Sequence, residues 1–217
     1  MVHWREYLIE AALLAIFMLS AATMTVVIQH PASPLRAFVD DAIARRVLMG
    51  VAMGLTAAGI IYSPWGRRSG AHMNPAVTLT FFRLGKISGG DALAYGGAQF
   101  LGSVVGIFVA SLGLLRWIAD PTVNYVATAP GPTGDIVAFA AEATISFVLM
   151  LVVLTVSNQH RLSPFTGAVV AVLVATFITF EAPLSGMRGR PGASTRSKNA
   201  AAAVAIGNFS SVCSRSS

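Results

Sequence analysis

Between two long apolar runs the chain reads Ser69-Gly70-Ala71-His72-Met73-Asn74-Pro75-Ala76-Val77-Thr78. Asn-Pro starts a helix: the Asn side chain caps free backbone N–H groups, and Pro fits the first helical position, where its missing N–H would be unpaired anyway. Arg83, Gly85, Lys86 and Gly90 stop that helix near Leu84. The ten residues 75–84 rise roughly 15 Å, about half the hydrocarbon thickness of a bilayer. A half-length helix with a polar cap, set between spans, predicts a segment that enters the membrane and turns back.

Five apolar segments run over about 7–28, 47–62, 92–115, 136–156 and 165–180. The first, third and fourth reach the roughly 20 residues a spanning helix needs, and the other two span with help from flanking residues. Composition agrees: 55% of residues are hydrophobic and 11% charged, against roughly 25% charged in soluble domains. The first run is too long for a cleaved signal peptide, Glu10 interrupts it, and its basic start is only Arg5 beside Glu6. The net charge of +6 lies between apolar runs rather than along one face, which reads as membrane-flanking charge and not as a nucleic-acid surface. The loop carrying Arg67, Arg68, Arg83 and Lys86 has no acid and is expected on the cytoplasmic side. The single cysteine, Cys213, can close no internal disulfide.

The chain also echoes itself. Glu10-Ala11 opens a run ending Phe17-Met18-Leu19, and Glu142-Ala143 opens one ending Leu149-Met150-Leu151. Gly50 and Gly54 lie four residues apart in the second span, as do Gly167, Ala171 and Ala175 in the fifth. Small residues at that spacing let helices approach closely in lipid. Ser69-Gly70 before the half-helix is matched by Ser185-Gly186 after the fifth span. Three crossings separate the halves, so the repeat is inverted.

His72-Met73-Asn74-Pro75-Ala76-Val77-Thr78-Leu79 resembles the signature of the aquaporin, or major intrinsic protein, family. The resemblance implies an all-α membrane protein, an inverted-repeat helix bundle whose two half-helices line a pore, assembled as a homo-tetramer where the fold is complete. It implies passive permeation of water or small neutral solutes such as glycerol through the cell (plasma or inner) membrane, with lipid as the surroundings and no cofactor or metal. By the same resemblance, Asn74, Pro75 and Ala76 form the pore motif, and the Asn74 carboxamide donates to passing water. Met53, Ile178 and Met187 take constriction positions; the fourth, usually arginine, is Ala193. A ring without aromatic, histidine or arginine admits small neutral solutes or dewets and stays shut.

The second half departs from the pattern. Where another Asn-Pro-Ala followed by Arg is expected, the chain has Arg190-Pro191-Gly192-Ala193. The residues beyond hold no acid, and their apolar stretch 200–206 is too short to span. The expected layout is therefore an aquaporin-like domain over 1–187, with a first repeat at about 1–117 and an incomplete second at about 135–187. Five spans and one half-helix are present, the sixth span is missing, and 188–217 form a disordered basic tail. The abruptness of the change suggests a frameshift after Met187.

Several roles stay open at this level. Asn74 caps a helix in any protein, and a pore role is added only by its place between spans. His72 lacks partners for catalysis or metal binding and reads as a structural hydrogen-bonding group. Glu10 and Glu142 are either proton carriers, since carboxylates within spans are costly and often functional, or acceptors for the N–H groups of the re-entrant loops. The resemblance implies the second, and a like supporting role for Gln99. Phosphate loops, metal clusters and nucleophile elbows are absent from the sequence, which argues against an enzyme. The surviving classes are a passive channel, a non-conducting truncated membrane protein and a carboxylate-dependent secondary transporter.

Overall fold

A computed structural model describes residues 3–127 and 135–185. The long helices are α1 (Trp4–Gln29), α3 (Ala42–Tyr62), α6 (Gly89–Leu114), α7 (Asp135–Asn158) and α8 (Thr166–Ser185). Three short ones lie between them: α2 (Pro34–Phe38), α4 (Pro64–Ser69) and α5 (Pro75–Arg83). Among the described residues, five helices are long and apolar enough to cross a membrane. Met187 and residues 188–217, expected to be a constriction position and a disordered tail, lie outside the described residues.

Polar caps, not the apolar runs, set where helices begin, and two spans therefore start earlier than their hydrophobic stretches. Asp41 caps α3 by accepting from the Ala44 N–H at 2.7 Å, and Ser88 caps α6 by accepting from the Asp91 N–H at 3.1 Å. Neither α2 nor α4 is visible as periodicity. Each is a single short helix opened by Ser-Pro, at Ser33-Pro34 and Ser63-Pro64.

Two intimate pairs organise the bundle: α1 against α6, and α3 against α8. A methyl group on Gly54 would run into the Ala171 carbonyl, and one on Gly50 into that of Ala175. The two small-residue series thus face one another and join the halves of the chain. The α1–α6 pair uses the same device, with Gly102 over Ala11 and Gly106 over Ala15. That second Gly-x-x-x-Gly spacing is equally present in the sequence, at Gly102 and Gly106. Such contacts matter here because lipid offers no hydrophobic drive for helices to associate, leaving van der Waals packing as the main attraction. Apolar side chains that would be anomalous in water, such as Leu93, Ile136 and Phe180, are exposed on the outside of the bundle.

Candidate functional site

The centre of interest is the path from α3 to α5. Ser63 ends α3 and caps α4, its hydroxyl accepting from the Gly66 N–H at 2.9 Å. Gly70 closes α4 in the left-handed region at φ 90. Ala71 and Met73 follow with φ 46 and 47, conformations that side chains other than glycine adopt only at a cost. Their effect is to turn successive backbone N–H groups the same way, toward α1.

Glu10 receives them. It is fully buried, and each carboxylate oxygen accepts two hydrogen bonds. Oε1 takes the Ser69 hydroxyl at 2.7 Å and the His72 N–H at 3.0 Å. Oε2 takes the Met73 N–H at 2.9 Å and the Gln99 side-chain amide at 3.1 Å. Four donors match an acceptor-only carboxylate and offset the desolvation that makes a buried charge expensive. This one side chain gathers Ser69, His72 and Met73 of the strained loop.

A second polar layer supports the first. Gln99 also donates to Thr78 Oγ1 at 3.1 Å, and His72 Nδ1 lies 3.1 Å from the same hydroxyl. The His72 ring stacks on Phe81 with centroids 4.8 Å apart and leans on Tyr95 at 5.0 Å. Tyr95 in turn donates to the Ser69 carbonyl at 2.9 Å. Gln99 Oε1 is buried and has no partner among the described residues.

Asn74 caps α5. Its Oδ1 accepts from the Ala76 N–H at 2.8 Å, which orients the carboxamide and leaves its NH2 without a partner among the described residues. The helix has nine residues, Pro75–Arg83, and Leu84 serves as its C-cap. It packs on α6 and α7. Nine residues rise roughly 14 Å, too short to cross a bilayer.

The remaining sequence-derived positions are less connected. Glu142 is half-buried on α7 and has no hydrogen-bond partner among the described residues; the loop it was expected to hold lies outside them. Met53 is only 2% exposed, inside an apolar cluster, and Ile178 packs against that cluster. Sequence reasoning missed Thr78 and Tyr95, whose roles depend on where α5 and α6 meet. It also missed residues 115–127, which bury Ile118, Val123 and Val126 in the same cluster as Met53.

Comparison with known proteins agrees with this geometry. The family model described as Major intrinsic protein matches residues 2–211, extending past Met187. A probable aquaporin AqpM of Archaeoglobus fulgidus is 38% identical over 148 residues, covering 66% of this chain and 58% of that protein. A glycerol uptake facilitator protein-like 6 of Lactiplantibacillus plantarum is 33% identical over 144 residues, covering 64% and 63%. The chain thus matches only about three fifths of the length of these relatives. The fold is shared with the aquaglyceroporin of Plasmodium falciparum, at a TM-score of 0.69 and 20% identity, over 86% of this chain and 76% of that one. With a family match over nearly its whole length and the Asn74-capped half-helix among membrane-length helices, this chain belongs to the major intrinsic protein family.

Proposed function

We propose that the chain derives from a channel for passive permeation of water or small neutral solutes through the cell membrane, assembled as a homo-tetramer where the fold is complete. The observation that carries this reading is the half-helix α5, whose Asn74 cap keeps its NH2 free while Oδ1 is committed to the helix end. That NH2 is a donor for a passing hydroxyl or water. The positive end of the α5 dipole lies at the same point and repels cations and protons. Met53 and Ile178 supply apolar walls, which suits neutral cargo.

A carboxylate-driven transporter fits less well. All four lone-pair positions of Glu10 face donors, so the group is built as a fixed acceptor rather than a proton carrier.

The finer reading is that the 217-residue chain conducts poorly. Arg190-Pro191-Gly192 stands where a second Asn-Pro-Ala would cap the opposite half-helix, and Arg cannot accept backbone N–H bonds as Asn does. The coding DNA beyond the Met187 codon tests its origin: one alternative frame should encode Asn-Pro-Ala-Arg and about 20 apolar residues. Stopped-flow light scattering on proteoliposomes tests the activity. A frame-restored chain is expected to shrink vesicles well above the empty-liposome rate, and the present chain close to it. Equal, raised permeability in both would refute impairment. Solute accumulation against a gradient would refute passive permeation.

A further inference from the structure

The segment that leaves α6 carries features that the half-helix does not explain. Residues 115–127 wind through two short 3-10 turns, Leu115–Trp117 and Asn124–Val126. Four of these residues, none of them glycine, have positive φ: Leu115 at 48, Asn124 at 45, Tyr125 at 52 and Val126 at 57. Three in a row is a strained path, and for a β-branched valine the conformation is a true outlier. Something must hold it.

Two things do. The first is burial: Ile118 is 1% exposed, Val123 3% and Val126 8%, and all three enter the apolar cluster that contains Met53. Val26 and Ile28 of α1, Met49 of α3 and Ile107 of α6 complete its walls, and Ile178 packs against it. The second is a polar latch. Asp120 accepts from the Thr122 N–H at 2.8 Å and hydroxyl at 2.7 Å, and its carbonyl accepts from the N–H groups of Val123 and Asn124. Its other carboxylate oxygen lies 3.7 Å from His30 Nε2, at the end of α1. His30 Nδ1 accepts from the Ala32 N–H at 3.1 Å, which puts the ring proton on Nε2, the nitrogen nearest Asp120. Trp117 stacks on the same ring with centroids 5.7 Å apart.

We infer that residues 115–127 are a plug: Ile118, Val123 and Val126 close the pathway at Met53, and the Asp120–His30 contact latches the plug to α1. This rests on the channel reading, which gives Met53 and Ile178 as the pathway's apolar walls. Strain suits such a device. A segment at its own energy minimum would stay seated, whereas stored backbone strain brings the seated and released states closer together. Conduction then requires the plug to lift from the end of the bundle opposite the loop at residues 67–86.

Cysteine labelling reads the plug without needing conduction. In the chain with Cys213→Ser, Met53→Cys is exposed to a charged thiol reagent applied from the plug side of proteoliposomes. Labelling should be slow in the parent and at least tenfold faster after Asp120→Ala. The pair Val123→Gly and Val126→Gly, which removes two plug side chains and the strain at Val126, should accelerate it likewise. Ser103→Cys, fully buried on α6, should stay protected throughout. Fast labelling at 53 in the parent, unchanged slow labelling in both variants, or acceleration at 53 matched at 103 in both would each overturn the plug. In a frame-restored chain carrying the same substitutions, faster labelling at 53 with water permeability no higher than that of empty liposomes would keep the plug and sink the channel reading instead.

Discussion

Replacing Glu10 by Gln changes one oxygen to an NH2 and keeps the shape, so it isolates the acceptor role of the carboxylate. The carboxylate accepts four hydrogen bonds, and the amide oxygen can keep only the two that reach one side. With the oxygen toward Ser69 and His72, the new NH2 confronts the Met73 N–H and the Gln99 amide. Gln99 has an unpartnered Oε1 that could turn to meet it, but doing so surrenders its bond to Thr78. With the oxygen toward Met73, the NH2 instead confronts the His72 N–H and the Ser69 hydroxyl, which can rotate. Either way one backbone N–H of a strained loop is left facing a donor. Hydrogen bonds to a charged group contribute about 1.5–3 kcal/mol each, so losing two costs roughly 3–6 kcal/mol. Removing a buried charge returns part of this, since ion burial itself carries a penalty of several kcal/mol. We expect a net loss of about 3 kcal/mol. Denaturation midpoints in detergent would measure it. Labelling of Ala71→Cys in the Cys213→Ser background would show whether the loop loosens first. A Glu10→Gln chain as stable as the parent, with Ala71→Cys equally protected, would refute the claim that Glu10 holds the loop.

Gly54→Leu should separate α3 from α8, because even a Cβ there meets the Ala171 carbonyl; a large loss of folded protein on size exclusion is expected, while Gly59→Leu, which faces open space, should be tolerated. Asn74→Ala removes the α5 cap and should cost about 1 kcal/mol, read as earlier proteolysis in the 70–84 region with the rest of the bundle intact. The Asp120 carboxyl is held below the usual carboxylate range chiefly by its hydrogen bonds from Thr122, with smaller contributions from the nearby His30 and Arg36 side chains. A depressed carboxylate stabilises above its unfolded pKa, near 3.9, and that stability is lost as pH falls through the lower folded value. Hydrogen exchange at residues 122–126, corrected for intrinsic rates, should therefore stay protected from pH 8 to 5 and open only under more acid conditions, and Asp120→Asn should abolish that acid step.

Much of the architecture was legible without coordinates because lipid permits few solutions. Long apolar runs must be helices, since backbone polar groups have no water to bond, and a capped run of half that length must turn back. Those two facts already implied spans at α1, α3, α6, α7 and α8 and the half-helix at α5. Asn74-Pro75 marks a helix start by local chemistry alone, and the small-residue spacing of Gly50 and Gly54 marks a close contact, though not with which helix.

Only the tertiary structure decided who meets whom. Gly54 sits on Ala171 and Gly102 on Ala11 because of how four helices are arranged, and spacing alone carries no address. Glu10 meets the His72 and Met73 N–H groups across more than sixty residues of chain, through left-handed turns at Gly70, Ala71 and Met73 that no local propensity favours. The same holds for residues 115–127, whose polar and apolar residues read as an ordinary connection. Burial of Ile118, Val123 and Val126, together with the His30 contact to Asp120, holds that segment in a conformation its own sequence disfavours. Local preferences act over a few residues and amount to about a kcal/mol each, whereas packing and buried hydrogen bonds act between distant parts of the chain and outweigh them.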